Sequence, residues 1–207
     1  MFNFLRMTGS HSPHVILPIE TITSATRNWL ILPKMVSIYD QQFIRDAGAR
    51  ARYKLAWGLI DGLAYLHKHN IAHRDIKPAN LVCDDRYRLQ IIDLDVAIKV
   101  QDENTETDQY RGTKGWTAPE MGLEDGPTPM YSPIKADRWS CGRVILQHIM
   151  MGRKGVWGLT EFANLLMAED PQQRPSLLEE NTSLNDIRKY INGKSTKAPD
   201  AKKPYTD

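Results

Sequence analysis

The sequence predicts an α+β fold in which a few short strands accompany a mostly helical body. Three observations predict it: two apolar runs rich in branched residues near the start, a long stretch of helix formers with regularly spaced leucines, and a second helical region after Pro133. The chain has 207 residues, of which 41% are hydrophobic and 25% charged. It is therefore long enough to bury a sizeable core within one domain.

The two apolar runs span residues 15–22 and 29–38, and we expect each to form a strand. Residues 47–67 are mainly helix formers, which predicts a long, half-buried helix. The leucines that recur on one face of this helix are Leu55, Leu59, Leu63 and Leu66.

Residues 71–100 alternate apolar runs with polar turns, which indicates small strands flanking loops that expose Asp and Asn side chains. Residues 101–115 are polar and almost without aliphatic side chains, so we expect a mobile or conditionally ordered segment. Two further helices are predicted, one through Trp139, Ile145 and Ile149 and one through Phe162, Leu165 and Leu166. A last helix is predicted through Leu184, Ile187 and Ile191, and residues 192–207 are predicted to be a disordered tail.

Charge and cysteine content exclude several classes of protein. The net charge of +2 is too small to indicate binding to nucleic acid or to a membrane surface. No apolar run is long enough for a signal peptide or a membrane span. Cys83 and Cys141 are isolated, which indicates no zinc site and a reducing, intracellular environment. We therefore expect a soluble, cytoplasmic protein without nucleic-acid or membrane partners.

Three segments carry the chemical signal: HRDIKPAN at residues 73–80, IIDLD at residues 91–95 and GTKGWTAPE at residues 112–120. Their residues and order resemble the eukaryotic-type protein kinase family, and Lys77 followed by Pro78 is similar to its Ser/Thr subclass. The resemblance implies a protein-kinase-like fold over residues 11–191. Residues 11–40 would be a partial N-terminal lobe, a remnant of its sheet, and residues 41–191 the mostly helical C-terminal lobe.

The resemblance also implies ATP and Mg²⁺ as cofactors and assigns roles to four residues. Asp75 would accept the proton of the substrate hydroxyl, and Lys77 would neutralise the transferred phosphate. Asn80 and Asp93 would hold magnesium, since both offer hard oxygen ligands. A lone Asp is usually a surface carboxylate, but the spacing from Asp75 to Lys77 and Asn80 argues against that interpretation.

Further positions follow from the resemblance. Thr113 would contact Asp75 and Lys77, and Glu120 would form a structural ion pair with Arg174. Asp137 would bind the backbone of the catalytic loop, although an Asp at a helix start is equally well a cap. Arg74 would bind a phosphate on the following loop.

Candidate phosphate acceptors on that loop are Thr105, Thr107 and Tyr110, although most such side chains are merely solvated.

Other positions depart from the family pattern. Asp95 stands where the family has Gly, which predicts less freedom of the segment and an extra negative charge near the metal site. Trp116 stands where Tyr is more usual.

Residues 29–35 resemble the strand that contacts adenine, with Leu32 at its gatekeeper position and Met35 offering its N–H, but an ordinary buried strand is an equal alternative.

Before Asp75 the sequence contains neither a Gly-rich loop nor a strand Lys paired with a helix Glu. Two functions therefore stay open. The chain is either a protein Ser/Thr kinase acting on a protein substrate, or a catalytically impaired kinase-like module that binds a regulatory protein. The oligomeric state is not determined by the sequence.

Overall fold

The computed structural model describes residues 12–123, 125–151 and 157–178. The helices are α1 (Gln41–Asp46), α2 (Ala49–Lys68), α3 (Pro133–Val144) and α4 (Trp157–Leu166). The strands are β1 (Glu20–Thr23), β2 (Asn28–Ile31), β3 (Val36–Ser37), β4 (Ile71–Ala72), β5 (Leu81–Cys83), β6 (Leu89–Ile91) and β7 (Ile98–Lys99). Single 3₁₀ turns lie at Pro78–Asn80, Pro119–Met121 and Pro171–Gln173, and a π-helical turn at Ile145–Ile149 continues α3. This mixture of helices and small sheets confirms the α+β class.

The core is built around α2. All four leucines predicted to share one face of this helix are fully buried, so the predicted helix is confirmed almost to the residue. Its partners are β6, the π-helical turn and α3. Two glycines allow a close approach: a Cβ on Gly62 would lie 2.6 Å from the carbonyl oxygen of His14, and one on Gly58 would lie 2.9 Å from the His14 ring. The chain before β1 therefore packs directly on the helix.

The described residues form three small antiparallel sheets, and two of them contact α2 through β6 and β4. In order, they are β1-β2, β3-β5-β6 and β4-β7. β3 pairs with β5, and β5 begins directly after Asn80. Residues next to Val15 run parallel to β6, since the N–H of Ile16 donates to the carbonyl oxygen of Ile91 at 2.9 Å. The sheets thus place both ends of the segment at residues 73–80 on the core.

The two strands predicted near the start have different bounds. Only the end of the run at residues 15–22 is a strand, because Pro18 interrupts it and β1 starts at Glu20. The run at residues 29–38 is divided into β2 and β3 by an irregular connection that contains Pro33. Proline lacks the N–H that a ladder needs, so a single continuous strand was the wrong prediction.

The β1-β2 hairpin exposes much of its apolar surface. Every residue of β1 is exposed, and Ile22 lies opposite Trp29 in the register. Large apolar side chains that are 40% to 68% exposed in this region are Ile19, Ile22, Trp29, Leu30, Ile31, Leu32, Val36 and Tyr39. Contiguous exposed apolar surface of this kind is uncommon on a folded domain that stands alone.

The later helices follow the sequence prediction. Ser132 caps α3 by accepting from the N–H of Lys135, and Pro133 occupies the first turn, where its missing N–H costs nothing. Phe162 and Leu166 on α4 are buried, whereas Leu165 is exposed. The predicted helix through Leu184, Ile187 and Ile191 and the predicted tail lie outside the described residues, as do the ends of the predicted domain.

None of the helices in the described ranges is both long and apolar enough to cross a membrane.

Candidate active site

The loop after β4 is fixed by the buried carboxylate of Asp137. Its two oxygens accept the backbone N–H groups of His73 at 2.6 Å and Arg74 at 2.8 Å. Asp137 lies inside α3, whose cap is Ser132, so the capping alternative is wrong and the loop-binding one is confirmed. Arg74 has a φ of 71°, a strained left-handed conformation that these bonds hold in place.

The ring of His73 joins the loop to the end of β6. Its Nδ1 accepts the N–H of Asp75 at 3.2 Å, and its Nε2–H donates to the carbonyl oxygen of Ile92 at 3.0 Å. Both ring nitrogens are therefore satisfied in one neutral tautomer. Because Ile92 directly precedes Asp93, this ring links the position of Asp93 to that of Asp75.

Three side chains donate hydrogen bonds to the Asp75 carboxylate. The Nζ of Lys77 donates to Asp75 Oδ2 and to Thr113 Oγ1, both at 2.7 Å. Thr113 in turn donates to Asp75 Oδ1 at 2.8 Å, and the Nδ2 of Asn80 donates to Asp75 Oδ2 at 3.1 Å. The Asp75 side chain is 14% exposed. The carboxylate is thus oriented by three donors while part of it stays open to a reactant.

The two predicted magnesium ligands differ in their surroundings. Asn80 is buried and also donates through Nδ2 to the Asp75 carbonyl oxygen at 2.9 Å, which leaves Oδ1 to coordinate a metal. Asp93 is exposed, and no described residue forms a hydrogen bond or ion pair with its carboxylate. The N–H of Ile92 donates to the Asn80 carbonyl oxygen at 3.0 Å, which ties the two segments together.

These donors fit magnesium, which prefers oxygen ligands and keeps several waters. No group of three or more His, Cys, Asp or Glu side chains in the described ranges could hold a metal by itself. The remaining ligands would be water and phosphate oxygens.

Asp95 introduces no backbone strain at the position where the resemblance expects Gly. The left-handed residue of this segment is Asp93, with a φ of 65°, and Asp95 is not among the described residues with positive φ. Asp tolerates the left-handed region better than most residues do. In this conformation the segment therefore does not need glycine at position 95.

The segment after Thr113 is anchored beneath the site. Glu120 and Arg174 form the predicted ion pair, with Arg174 Nη1 and Nη2 donating at 2.5 Å and 2.8 Å. Trp116 is half-buried, and its carbonyl oxygen accepts from Ser140 Oγ at 2.7 Å. Residues 113–120 are therefore attached to α3 and to the chain after α4.

The predicted adenine-contacting residues do not lie within a strand. Leu32 is exposed and Met35 is half-buried, and both belong to the connection between β2 and β3. β3 begins directly after Met35 and pairs with β5, so Met35 lies next to the small sheet that contains β5. The strand expected at residues 29–35 therefore ends at Ile31, and residues 32–35 form an irregular connection beside that sheet.

Burial is the main cause of the pKa shifts of three side chains near the site. It lowers the pKa of His67, although the hydrogen bond to Asp137 partly opposes this effect. It raises the pKa of Cys83 to about 11 and also raises the pKa of Cys141. Neither thiol is a nucleophile at neutral pH, because the thiolate is the reactive form.

Comparison with known proteins shows the family of this chain. The sequence profile of the protein kinase domain matches residues 4–165, which is more than half of the chain. The chain belongs to the protein kinase family.

Several curated kinases are similar to it. The mouse phosphorylase b kinase gamma catalytic chain, liver/testis isoform, is 26% identical over 194 residues, covering 91% of this chain and 47% of the relative. CBL-interacting serine/threonine-protein kinase 8 of Arabidopsis thaliana is 33% identical over 145 residues, covering 68% of this chain and 31% of the relative. Sperm motility kinase 3A of mouse is 29% identical over 206 residues, covering 84% of this chain and 39% of the relative. The chain spans less than half the length of these relatives.

This kinase domain also contains a polar contact that the sequence patterns did not indicate. Arg138 is buried in α3 and forms an ion pair with Glu103. The available signal was an arginine next to Trp139 in a predicted helix, because a charge that folding buries requires a partner. The identity of that partner could not be derived from the sequence.

Proposed function

We propose that this kinase domain transfers the γ-phosphoryl group of ATP, with Mg²⁺, to a Ser or Thr hydroxyl of a protein. The contact that carries the proposal is the one between the Asp75 carboxylate, the Lys77 ammonium and the Thr113 hydroxyl. Phosphoryl transfer requires a carboxylate to orient the attacking hydroxyl and cations beside the phosphate oxygens, and this cluster supplies both.

Asp75 would act as the base. The substrate oxygen forms a bond to the γ-phosphorus, the bond from that phosphorus to the bridging oxygen of ADP breaks, and the hydroxyl proton passes to Asp75. Because donors from Thr113, Lys77 and Asn80 fix both carboxylate oxygens, the base would need no reorientation during the reaction.

Lys77 would bridge base and phosphate. Its ammonium has three N–H donors, and two already bind Asp75 and Thr113. The third is available to an oxygen of the transferred group. Asn80 and Asp93 would hold Mg²⁺, which when bound neutralises charge on the phosphate oxygens.

The N-terminal lobe bears on the rate of transfer. The sequence given shows neither a Gly-rich loop nor a strand Lys before Asp75, and such a Lys contributes roughly 3 kcal/mol to reactions of this kind. Catalysis without an equivalent cation would be about a hundredfold slower. A catalytically impaired module that binds a regulatory protein is therefore the second candidate, and the exposed apolar side chains of the β1-β2 hairpin favour it.

Calorimetric titration with ATP, with and without magnesium, separates the two candidates. We expect saturable, magnesium-dependent binding that is at least tenfold weaker in Asp93→Ala, because a metal ligand is lost. Asp85→Ala is the matched control, since it removes an exposed carboxylate on the turn between β5 and β6 that is assigned no role at the site. A folded protein without such binding would support the module instead.

Phosphoryl transfer then tests the base. Asp75→Asn should keep ATP binding but lower transfer to a protein substrate by roughly 10² to 10⁴. Transfer that persists in this variant would show that Asp75 is not the base. The protein substrate is expected inside the cell, in keeping with two free, buried thiols.

A further inference from the structure

Three polar side chains spaced three residues apart form one buried face of α3. They are Ser132, Lys135 and Arg138, none of them more than 8% exposed. Residues at this spacing lie on the same side of a helix. Lysine and arginine are almost never fully buried unless they are paired, so this face requires polar partners.

Each of the three side chains has a partner on one of two consecutive residues of the segment that follows β7. Ser132 Oγ donates to the Glu103 carbonyl oxygen at 2.6 Å, and Arg138 pairs with the Glu103 carboxylate. Lys135 Nζ donates to Asn104 Oδ1 at 2.7 Å and to Gln172 Oε1 at 2.5 Å. Glu103 and Asn104 are thus held by three buried groups on one helix.

The same segment is held again further along. Thr107 and Tyr131 exchange two backbone hydrogen bonds, of 3.0 Å and 3.1 Å. The carbonyl oxygen of Gln109 accepts from Arg74 Nη2 at 2.7 Å and from the Tyr131 hydroxyl at 2.9 Å. Four residues later, Thr113 reaches Asp75.

These contacts use only backbone groups and unmodified side chains, so none of them requires a phosphate. Arg74, the residue that the resemblance assigns to a phosphate, is bound to a backbone carbonyl, although its Nε has no partner among the described residues. Thr105 and its neighbours Asp102 and Glu106 lie on the same stretch, so a phosphate there would meet like charges.

We propose that Glu103 and Arg138 are positioning residues that hold residues 103–113 against α3 and so deliver Thr113 to Asp75 without phosphorylation. The catalytic meaning of that arrangement rests on the proposed kinase function. The arrangement itself can be measured without any turnover.

The test is hydrogen exchange of the full chain after phosphatase treatment, with intact mass confirming that no phosphate remains. We expect the Thr107 amide, which donates to Tyr131, to be protected in this unmodified protein. Glu103→Gln should raise its exchange rate roughly tenfold or more, because a hydrogen bond to a charged group is lost. Glu106→Gln, an exposed acid on the same segment, is the matched control and should exchange as the wild type does.

A double variant separates positioning from general stability. Glu103→Gln with Arg138→Met removes both charges, so resistance to urea should recover relative to Glu103→Gln alone while Thr107 still exchanges fast. Fast exchange of the unmodified wild type, with protection only after phosphorylation, would overturn the proposal. So would equal exchange in Glu103→Gln and Glu106→Gln, or recovery of Thr107 protection in the double variant.

Turnover provides a separate measurement. In a preparation that transfers phosphate, Glu103→Gln should lower kcat and leave KM for ATP unchanged, because Glu103 contacts Ser132 and Arg138 and none of the residues proposed to bind ATP or Mg²⁺. A chain that shows protected Thr107 but no transfer would contradict the proposed function and leave the positioning role supported.

Discussion

Thr113 Oγ1 donates a hydrogen bond to Asp75 Oδ1 at 2.8 Å and accepts one from Lys77 Nζ at 2.7 Å. A single hydroxyl therefore connects the segment at residues 112–120 with Asp75 and Lys77 of the loop at residues 73–80. Because the hydroxyl is both donor and acceptor, it bridges the Asp75 carboxylate and the Lys77 ammonium and fixes their relative position.

The first prediction concerns this hydroxyl. Thr113→Val keeps the shape but removes both hydrogen bonds, and we expect transfer to fall roughly tenfold to a hundredfold, since bonds to charged groups are worth about 1.5 to 3 kcal/mol. Thr113→Ser retains the hydroxyl and should stay within a fewfold of the wild type. Steady-state rates with a protein substrate make the measurement, and equal rates in the Val and Ser variants would contradict it.

The second prediction concerns Asp137. Asp137→Ala would leave the buried N–H groups of His73 and Arg74 without an acceptor, and we expect the free energy of unfolding to fall by about 3 kcal/mol. Urea unfolding measures this change. Asp108→Asn, at an exposed position, is the control and should shift stability by less than about 0.5 kcal/mol.

The third prediction concerns the ion pair of Glu120 and Arg174. Glu120→Gln leaves a buried guanidinium without its counter-charge, so unfolding should become easier by about 3 kcal/mol. The double variant Glu120→Gln with Arg174→Met removes the unpaired charge and should be more stable than Glu120→Gln alone. A double variant less stable than that single one would show that Arg174 is held mainly by its carbonyl contacts with Ala168 and Lys135.

The fourth prediction concerns pH. Burial lowers the pKa of both His67 and His148 below the ordinary value of 6.5. The unfolded chain therefore binds protons that the folded chain does not, so stability is complete above pH 6.5 and falls as the pH drops towards the folded-state pKa values.

Urea unfolding at pH 7.5 and 5.5 measures this effect. His67→Gln and His148→Gln should each reduce the difference in unfolding free energy between the two pH values, whatever their effect at pH 7.5. Groups facing these rings are Asp137, Arg138 and Glu103 around His67 and Arg52 beside His148. An undiminished difference in both variants would assign the dependence to other groups.

Local patterns determined much of this protein. The leucine spacing in α2 predicted its buried face because helix periodicity depends on neighbours three and four residues apart. The motif at residues 73–80 predicted the candidate catalytic groups, and their convergence on Asp75 follows from short loop connections. The pair of Glu120 and Arg174 could also be predicted, because each residue belongs to a segment that matches the family pattern.

Only the tertiary structure decided contacts between distant segments without a shared pattern. Pro33 divides an apolar run that the sequence predicts as one strand. A proline interrupts a strand only where a neighbouring strand would accept a hydrogen bond from its missing N–H, and only the fold decides where that is. Arg138 signalled that a buried charge needed a partner, but thirty-five positions separate it from Glu103, and chain folding alone selected that acid. The sequence thus determined which groups are present and their local periodicity. Packing determined which of them meet. A buried charge is stable only when a partner offsets its desolvation, and only the tertiary structure brings a particular partner close to it.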